Sequence, residues 1–317
     1  MSQAVTMQNA TMAAAMLVVD AATADAISLL RGDAIPTILL RGPAIAERLY
    51  GREELRPYGD ADVLVPREAF DRAEGVLQKQ GFREVPAEVA AGSERPGHAH
   101  TWIGPKSGVA IDLHATLIGI GTSPERLWHT LADEVETLEL AGTTVQIPSP
   151  RAIALILALH AWQHAALPDV PLEDLRRAVR LFPKTVWADA ASLSQDVDAV
   201  AAFTTGLGMV SGGVKLVETL GLEPGALHKG LRGSQAFHIA QGLDWLRQER
   251  GTRAKAVFVV RKWLPQPHQM RALYPLARRG IGGLAASYVW RTGILAWHTP
   301  GALLLRRRAR RARASQY

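Results

Sequence analysis

The sequence predicts an α+β fold: a mixed sheet with flanking helices, followed by an all-helical C-terminal region. Three observations lead there. Short apolar runs punctuated by glycine and proline fill the stretch from about 35 to 148. A helical pattern separates the second run from the return after Gly81, so strand, turn, helix and strand follow in order. After Ser149-Pro150, an N-cap and first helical position, everything reads as helix. The expected divisions are a helical segment over 1–34 packing on the core, an α/β domain over 35–148, a helical domain over 149–300 and a basic, disordered tail over 301–317.

The first helix is alanine-rich, with Leu17, Ala21, Ala24, Ile27 and Leu30 at helical spacing and Gly32 to close it. Residues 35–40 then read as a buried strand, followed by Arg41-Gly42-Pro43 and a helix to Tyr50. Glycine lets a backbone approach closely, proline is preorganised for a helix start, and the free amides there suit a phosphate. Asp60 and Asp62 alternate with apolar residues up to Val65, so both project from one face, roughly 6.6 Å apart at about 3.3 Å per residue. A divalent cation can bridge that gap. Two bare carboxylates at about 4 Å would repel by roughly 4 kcal/mol at an effective dielectric of 20, so the pair calls for a cation or a shared proton. A solvated edge or turn carries the same triplet, and its neighbours decide.

Pro66 opens a helix through Gln80 with Phe70, Ala73 and Leu77 on one face, and Gly81 stops it. Residues 87–97 form a loop, and 98–103 a strand. His98 and His100 share a face there, and with Asp112 and His114 on a neighbouring strand they would make a histidine-rich metal site; the plainer reading of His98 is an exposed loop-edge residue. Residues 108–114 hold Asp112 between apolar neighbours, where a charge needs a partner or a metal. His114 shares the face of Asp112 and either orients that carboxylate or touches substrate. A hairpin over 135–147 turns at Ala141-Gly142.

In the helical region His160 and His164 lie four apart on one face, without the glutamate of a zinc-protease signature, since Ala161 follows the first histidine. Asp174 starts the next helix, and a plain pairing of His160 with Asp174 between two helices is the alternative to a role at the site. Further helices break at Pro183, Gly206, Gly208, 221–225 and near Gly251. Trp263, Trp290 and Trp297 with Arg261, Arg279, Arg291 and the terminal arginines would suit a membrane surface, although packing between helices is the preferred reading.

In combination, Leu40-Arg41-Gly42, Tyr50, Arg56, Asp60-Ala61-Asp62-Val63-Leu64-Val65, Gly81-Phe82 and Ile111-Asp112-Leu113-His114 resemble the uncharacterised nucleotidyltransferase family of the polymerase-β-type superfamily, over about 35–180. Arg41 stands where lysine is usual, exchanging a point ammonium for a planar fork. The resemblance implies a nucleotidyltransferase-like mixed sheet, with 35–148 as catalytic domain. It implies transfer of an NMP group from an NTP donor to a hydroxyl or phosphate acceptor with Mg²⁺ or Mn²⁺. Asp60, Asp62 and Asp112 would be the catalytic and metal-holding acids, with Asp112 alternatively the base; Arg41, Gly42 and Arg56 would meet phosphate; His114, His160 and Asp174 would support them. The acceptor stays open among a peptide, a protein, a sugar phosphate and an RNA end. The competing readings are transfer of another phosphate-activated group, such as a sugar, to a peptide or small molecule, and a non-catalytic module working through its basic tail.

Composition bounds the rest. Zero cysteines exclude disulfides and thiolate metal sites and fit a reducing compartment. No secretory signal is evident at the start, and no apolar run is expected to reach a membrane span, so the expectation is a cytoplasmic protein. Net charge is +6, equal to the six arginines between Arg306 and Arg313, so the body is near neutral and any contact with an anionic surface falls to that end.

Overall fold

In the computed structural model the five-stranded sheet has the order β1-β2-β5-β4-β3, built from β1 (Ile38–Leu39), β2 (Asp60–Leu64), β3 (Arg83–Val85), β4 (Ala99–Ile103) and β5 (Ala110–His114). The structure describes residues 3–51, 54–85, 99–163, 170–223, 267, 270–271 and 274–314. Only β2 and β5 run parallel; the other pairs are antiparallel, which makes the sheet mixed as predicted. The parallel pair needs a long crossover, and α3 (Phe70–Lys79) with β3 and β4 supplies it.

Strand alternation sorts the two faces. Ala61, Val63, Ile111 and Leu113 join one buried cluster with Ile27 and Leu30 of α1 (Gln3–Gly32) and Phe70, Ala73 and Leu77 of α3. Leu64 turns the other way, into a cluster with Ile45 and Leu49 of α2 (Pro43–Tyr50) and the buried length of α5 (Pro150–Gln163). Asp62 and Asp112 lie on that second face, between the sheet and the helices.

Further described elements are a 3₁₀ turn at Arg67–Ala69, α4 (Pro124–Ala132), the hairpin β6 (Val135–Leu140) and β7 (Thr143–Pro148), α6 (Val170–Leu181), α7 (Lys184–Asp196), α8 (Val200–Leu207) and α9 (Ser211–Thr219). The hairpin turns on Ala141 and Gly142, both at positive φ (47° and 79°), as a two-residue turn matched to strand twist requires. The described residues up to 223 belong to one compact unit, so α5 to α9 fold with the sheet, and those after 223 belong to a second. In that second unit a 3₁₀ turn at Pro275–Arg278 precedes α10 (Gly280–Ala314).

Two expectations change. The backbone is helical through Ala314, where a disordered tail was predicted; alanine, leucine and arginine are all strong helix formers. And α1 does contain a stretch long and apolar enough, by length and composition, to cross a membrane: Asn9–Gly32, 24 residues of mean hydropathy 1.7. Asp20 and Asp25 interrupt it in sequence but leave its average high. In this fold it buries Val19, Ala26, Ile27 and Leu30 in the core.

Candidate active site

The site grows from register. Asp60, Asp62 and Leu64 of β2 stand opposite Ala110, Asp112 and His114 of β5, so the acids and the histidine project from one face. Asp62, Asp112 and His114 each bring a ligand atom within 4.8 Å of the other two. His114 Nε2 lies 2.9 Å from Asp62 Oδ1, and both side chains are buried. On the far side of β5, Thr101 of β4 is paired with Asp112 and its hydroxyl donates to Asp112 Oδ1 at 2.6 Å. Thr101 is a site residue that the sequence analysis passes over: alternation alone does not say which strand lies beside β5.

Asp60 opens to solvent at the start of β2 and lies outside that tight trio. Protein packed around its carboxyl withdraws water and raises its pKa, and the charges of Asp62 and Asp112 raise it further. For Asp62, burial acts in the same direction but is overridden. The Arg41 charge and the His114 hydrogen bond hold it well below the usual carboxylate range.

Arg41 follows β1 and precedes α2, and its guanidinium reaches two partners. Nη2 donates to Asp62 Oδ1, while Nη1 meets the His160 ring of α5 at Nδ1. A guanidinium only donates, so the imidazole accepts there. Gly42, next in the chain, has φ 63°, and a Cβ built on it would sit 2.9 Å from the Asp60 carbonyl oxygen. Only glycine brings the start of α2 this close to the acidic strand.

Arg56 departs from expectation. The resemblance implies a phosphate contact for it; in the fold it is buried and forks onto Asp174: Nε donates to Oδ1 at 2.9 Å and Nη2 to Oδ2 at 2.6 Å. Asp174 also accepts from the Tyr50 hydroxyl at 2.9 Å. Burial, then the Asp174 charge, pushes the Tyr50 hydroxyl up to about 12. These bonds fasten α6 to the end of α2 through Tyr50 and to the loop before β2 through Arg56, with Arg177 of α6 stacked 4.3 Å over the Tyr50 ring. His160 and Asp174, weighed as a pair, instead each meet an arginine.

The histidine-rich alternative fails on alternation. His100 is paired with Leu113, so it projects from the opposite face to Asp112; it meets Glu74 and packs edge-on against Phe70 at 5.3 Å. His98 and His164 lie outside the described residues.

A family described as uncharacterised nucleotidyltransferase matches residues 3–211, more than half of the chain. The chain belongs to that family. This nucleotidyltransferase relative is similar in structure to the antibiotic-resistance factor ANT(2'')-Ia in solution (17% identity, 57% of this chain and 94% of that one, TM-score 0.38). It is also similar to ANT(2")-Ia in complex with adenylyl-2"-tobramycin (19%, 54% and 93%, TM-score 0.36). A third likeness is an antigenic nucleotidyltransferase-like protein from Paracoccidioides brasiliensis (19%, 60% and 91%, TM-score 0.35). Among curated proteins, none matches.

Proposed function

We propose that this nucleotidyltransferase moves an NMP group from an NTP to a hydroxyl or phosphate acceptor with the help of Mg²⁺ or Mn²⁺. The observation that carries the reading is the in-register pair Asp62 and Asp112 on neighbouring parallel strands, two residue pairs from His114 and on its face. The donor set fits the cation: two carboxylates suit a hard ion, and a third ligand atom stands within 4.8 Å of both. Asp62 and Asp112 would hold the ion, with Asp60 as the outer carboxylate toward solvent. Such an ion neutralises phosphate oxygens and stabilises charge as an in-line displacement proceeds.

The chain's own groups do the rest. Backbone amides after Gly42, at the positive end of α2, receive phosphate oxygens. Arg41 offsets charge on the departing pyrophosphate, a role its fork suits. The acceptor oxygen bonds to the α-phosphorus as the bond from that phosphorus to the bridging oxygen breaks. Asp112, steadied by Thr101, serves the acceptor side as ligand or as proton acceptor. Arg56 is reassigned from phosphate to the buried tie with Asp174.

Calorimetric titration with Mg²⁺ and each NTP in turn tests the first step, and pyrophosphate release in a host extract tests the second. Labelled product from the same extract names the acceptor. A chain that binds no nucleotide under any of these conditions overturns the proposal.

A further inference from the structure

The second unit carries an exposed apolar surface of its own. On α10, Ile281, Val289, Trp290 and Trp297 are 85%, 74%, 64% and 82% exposed. Trp290 and Trp297 are seven residues apart and share a face with Ala286, Gly293 and Ala296. The inner side is a different set: Ser287 is buried, Ile294 is half-buried, and Arg291 Nη1 reaches back to the Tyr274 hydroxyl at 3.3 Å. Between Gly280 and Pro300 that arginine is the one Asp, Glu, Lys or Arg residue. Past Pro300 the composition reverses, with Arg306, Arg307, Arg308, Arg310, Arg311 and Arg313 in helical backbone. Packing between helices, the reading preferred from sequence, therefore does not account for Trp290 or Trp297; Trp263 lies outside the described residues.

Two large exposed indole rings on an uncharged stripe, followed in the sequence by six arginines, match one kind of surface. Tryptophan settles at the head-group level of a bilayer, where its apolar body and N–H are both satisfied, and arginines are drawn to acidic lipids. With Arg291 at its middle, the stripe is not among the described helices long and apolar enough to cross a bilayer, and it suits a helix lying in its plane. Single-stranded nucleic acid would use the arginines, but it asks for aromatic platforms set in a basic groove, not for a stripe of alanine, valine and glycine around two indoles. We infer that the outer face of α10 docks on an anionic membrane surface, with Trp290 and Trp297 at head-group depth and the run from Arg306 to Arg313 on acidic phospholipid.

The test uses the full chain with sedimented vesicles of phosphatidylcholine alone and of phosphatidylcholine mixed with phosphatidylglycerol. The chain is expected to sediment with the mixed vesicles only, and to be released at high salt. Binding should weaken about tenfold or more in a Trp290→Ala, Trp297→Ala chain and in a chain with Arg306, Arg307 and Arg308 changed to Gln. Brominated lipid should quench the tryptophan emission of the native chain more than that of the double tryptophan variant. Far-UV circular dichroism checks that both variants keep the fold. A native chain that stays in the supernatant overturns the inference, and so does a tryptophan variant that binds as tightly as the native chain. A chain that ignores vesicles yet shifts single-stranded RNA overturns it in favour of nucleic acid. None of these readouts depends on nucleotide transfer, so the two proposals fail separately.

Discussion

Asp62 and Asp112 occupy matching positions on the parallel pair β2 and β5, and a different neighbour holds each: Arg41 and His114 for Asp62, Thr101 for Asp112. The pairing makes Asp62→Asn the sharpest test of the transfer reaction. Mg²⁺-dependent turnover should fall about a thousandfold, the scale of several kcal/mol of transition-state stabilisation. Far-UV circular dichroism should be unchanged. Full activity in this variant would remove the metal role.

Arg41→Lys asks whether the site uses charge or shape. The native guanidinium meets Asp62 and the His160 ring at once, and a single ammonium cannot reproduce that fork. The expected result is a drop in kcat of about tenfold or more with a smaller change in KM. Unchanged kcat would mean that charge alone is required.

Arg56→Ala should act on stability first. Removing one partner of a buried pair leaves Asp174 uncompensated, at a cost of about 3–5 kcal/mol; the side chains here are 10% and 1% exposed. Urea titration measures it. Adding Asp174→Asn to Arg56→Ala should recover part of the loss, and a strictly additive double variant would deny the coupling.

Gly42→Ala tests the close approach of α2 to β2. Its φ of 63° and the Asp60 carbonyl 2.9 Å from the new Cβ should together cost about 1–3 kcal/mol. NTP affinity should fall as the amides at the helix start shift. A variant with native melting temperature and native affinity would show that the backbone there has room.

Asp20 gives the pH dependence. Desolvation raises its pKa above 3.8, and the hydrogen bond from Tyr58, 2.7 Å away, only partly opposes this. The folded chain therefore binds this proton more tightly than the unfolded one, so stability falls as pH rises from about 3.8 toward the folded value. Asp20→Asn, which keeps an acceptor for Tyr58, should flatten that fall and melt higher than the native chain at neutral pH. Thermal melts across the acid range read it directly; parallel curves for both chains would count against it.

Much of this was legible in sequence because period-2 alternation is local. It assigned Asp60 and Asp62 to one face and His114 to the face of Asp112. It did not settle His100, whose face relative to Asp112 follows only from the pairing of Thr101 with Asp112 and of His100 with Leu113. What alternation does not carry is neighbourhood, which is why Thr101 went unseen. The tie of Arg56 is not legible because arginines are mostly exposed and its partner Asp174 lies 118 residues on, beyond any local pattern. Helix α4 is a different case: Ser123 caps it, accepting from the Arg126 amide at 3.3 Å, and Pro124 fills its first position, so the signal was present.

The distance along the chain between Arg56 and Asp174 also sets a timetable. During synthesis at about 5–20 residues per second, Arg56 emerges roughly 6–24 s before the aspartate that neutralises it. Throughout that interval the nascent sheet carries an unmatched guanidinium at a position the finished protein seals from water. A chaperone that shields the growing polypeptide would be needed most in that window, and a chain cut short before α6 would never leave it.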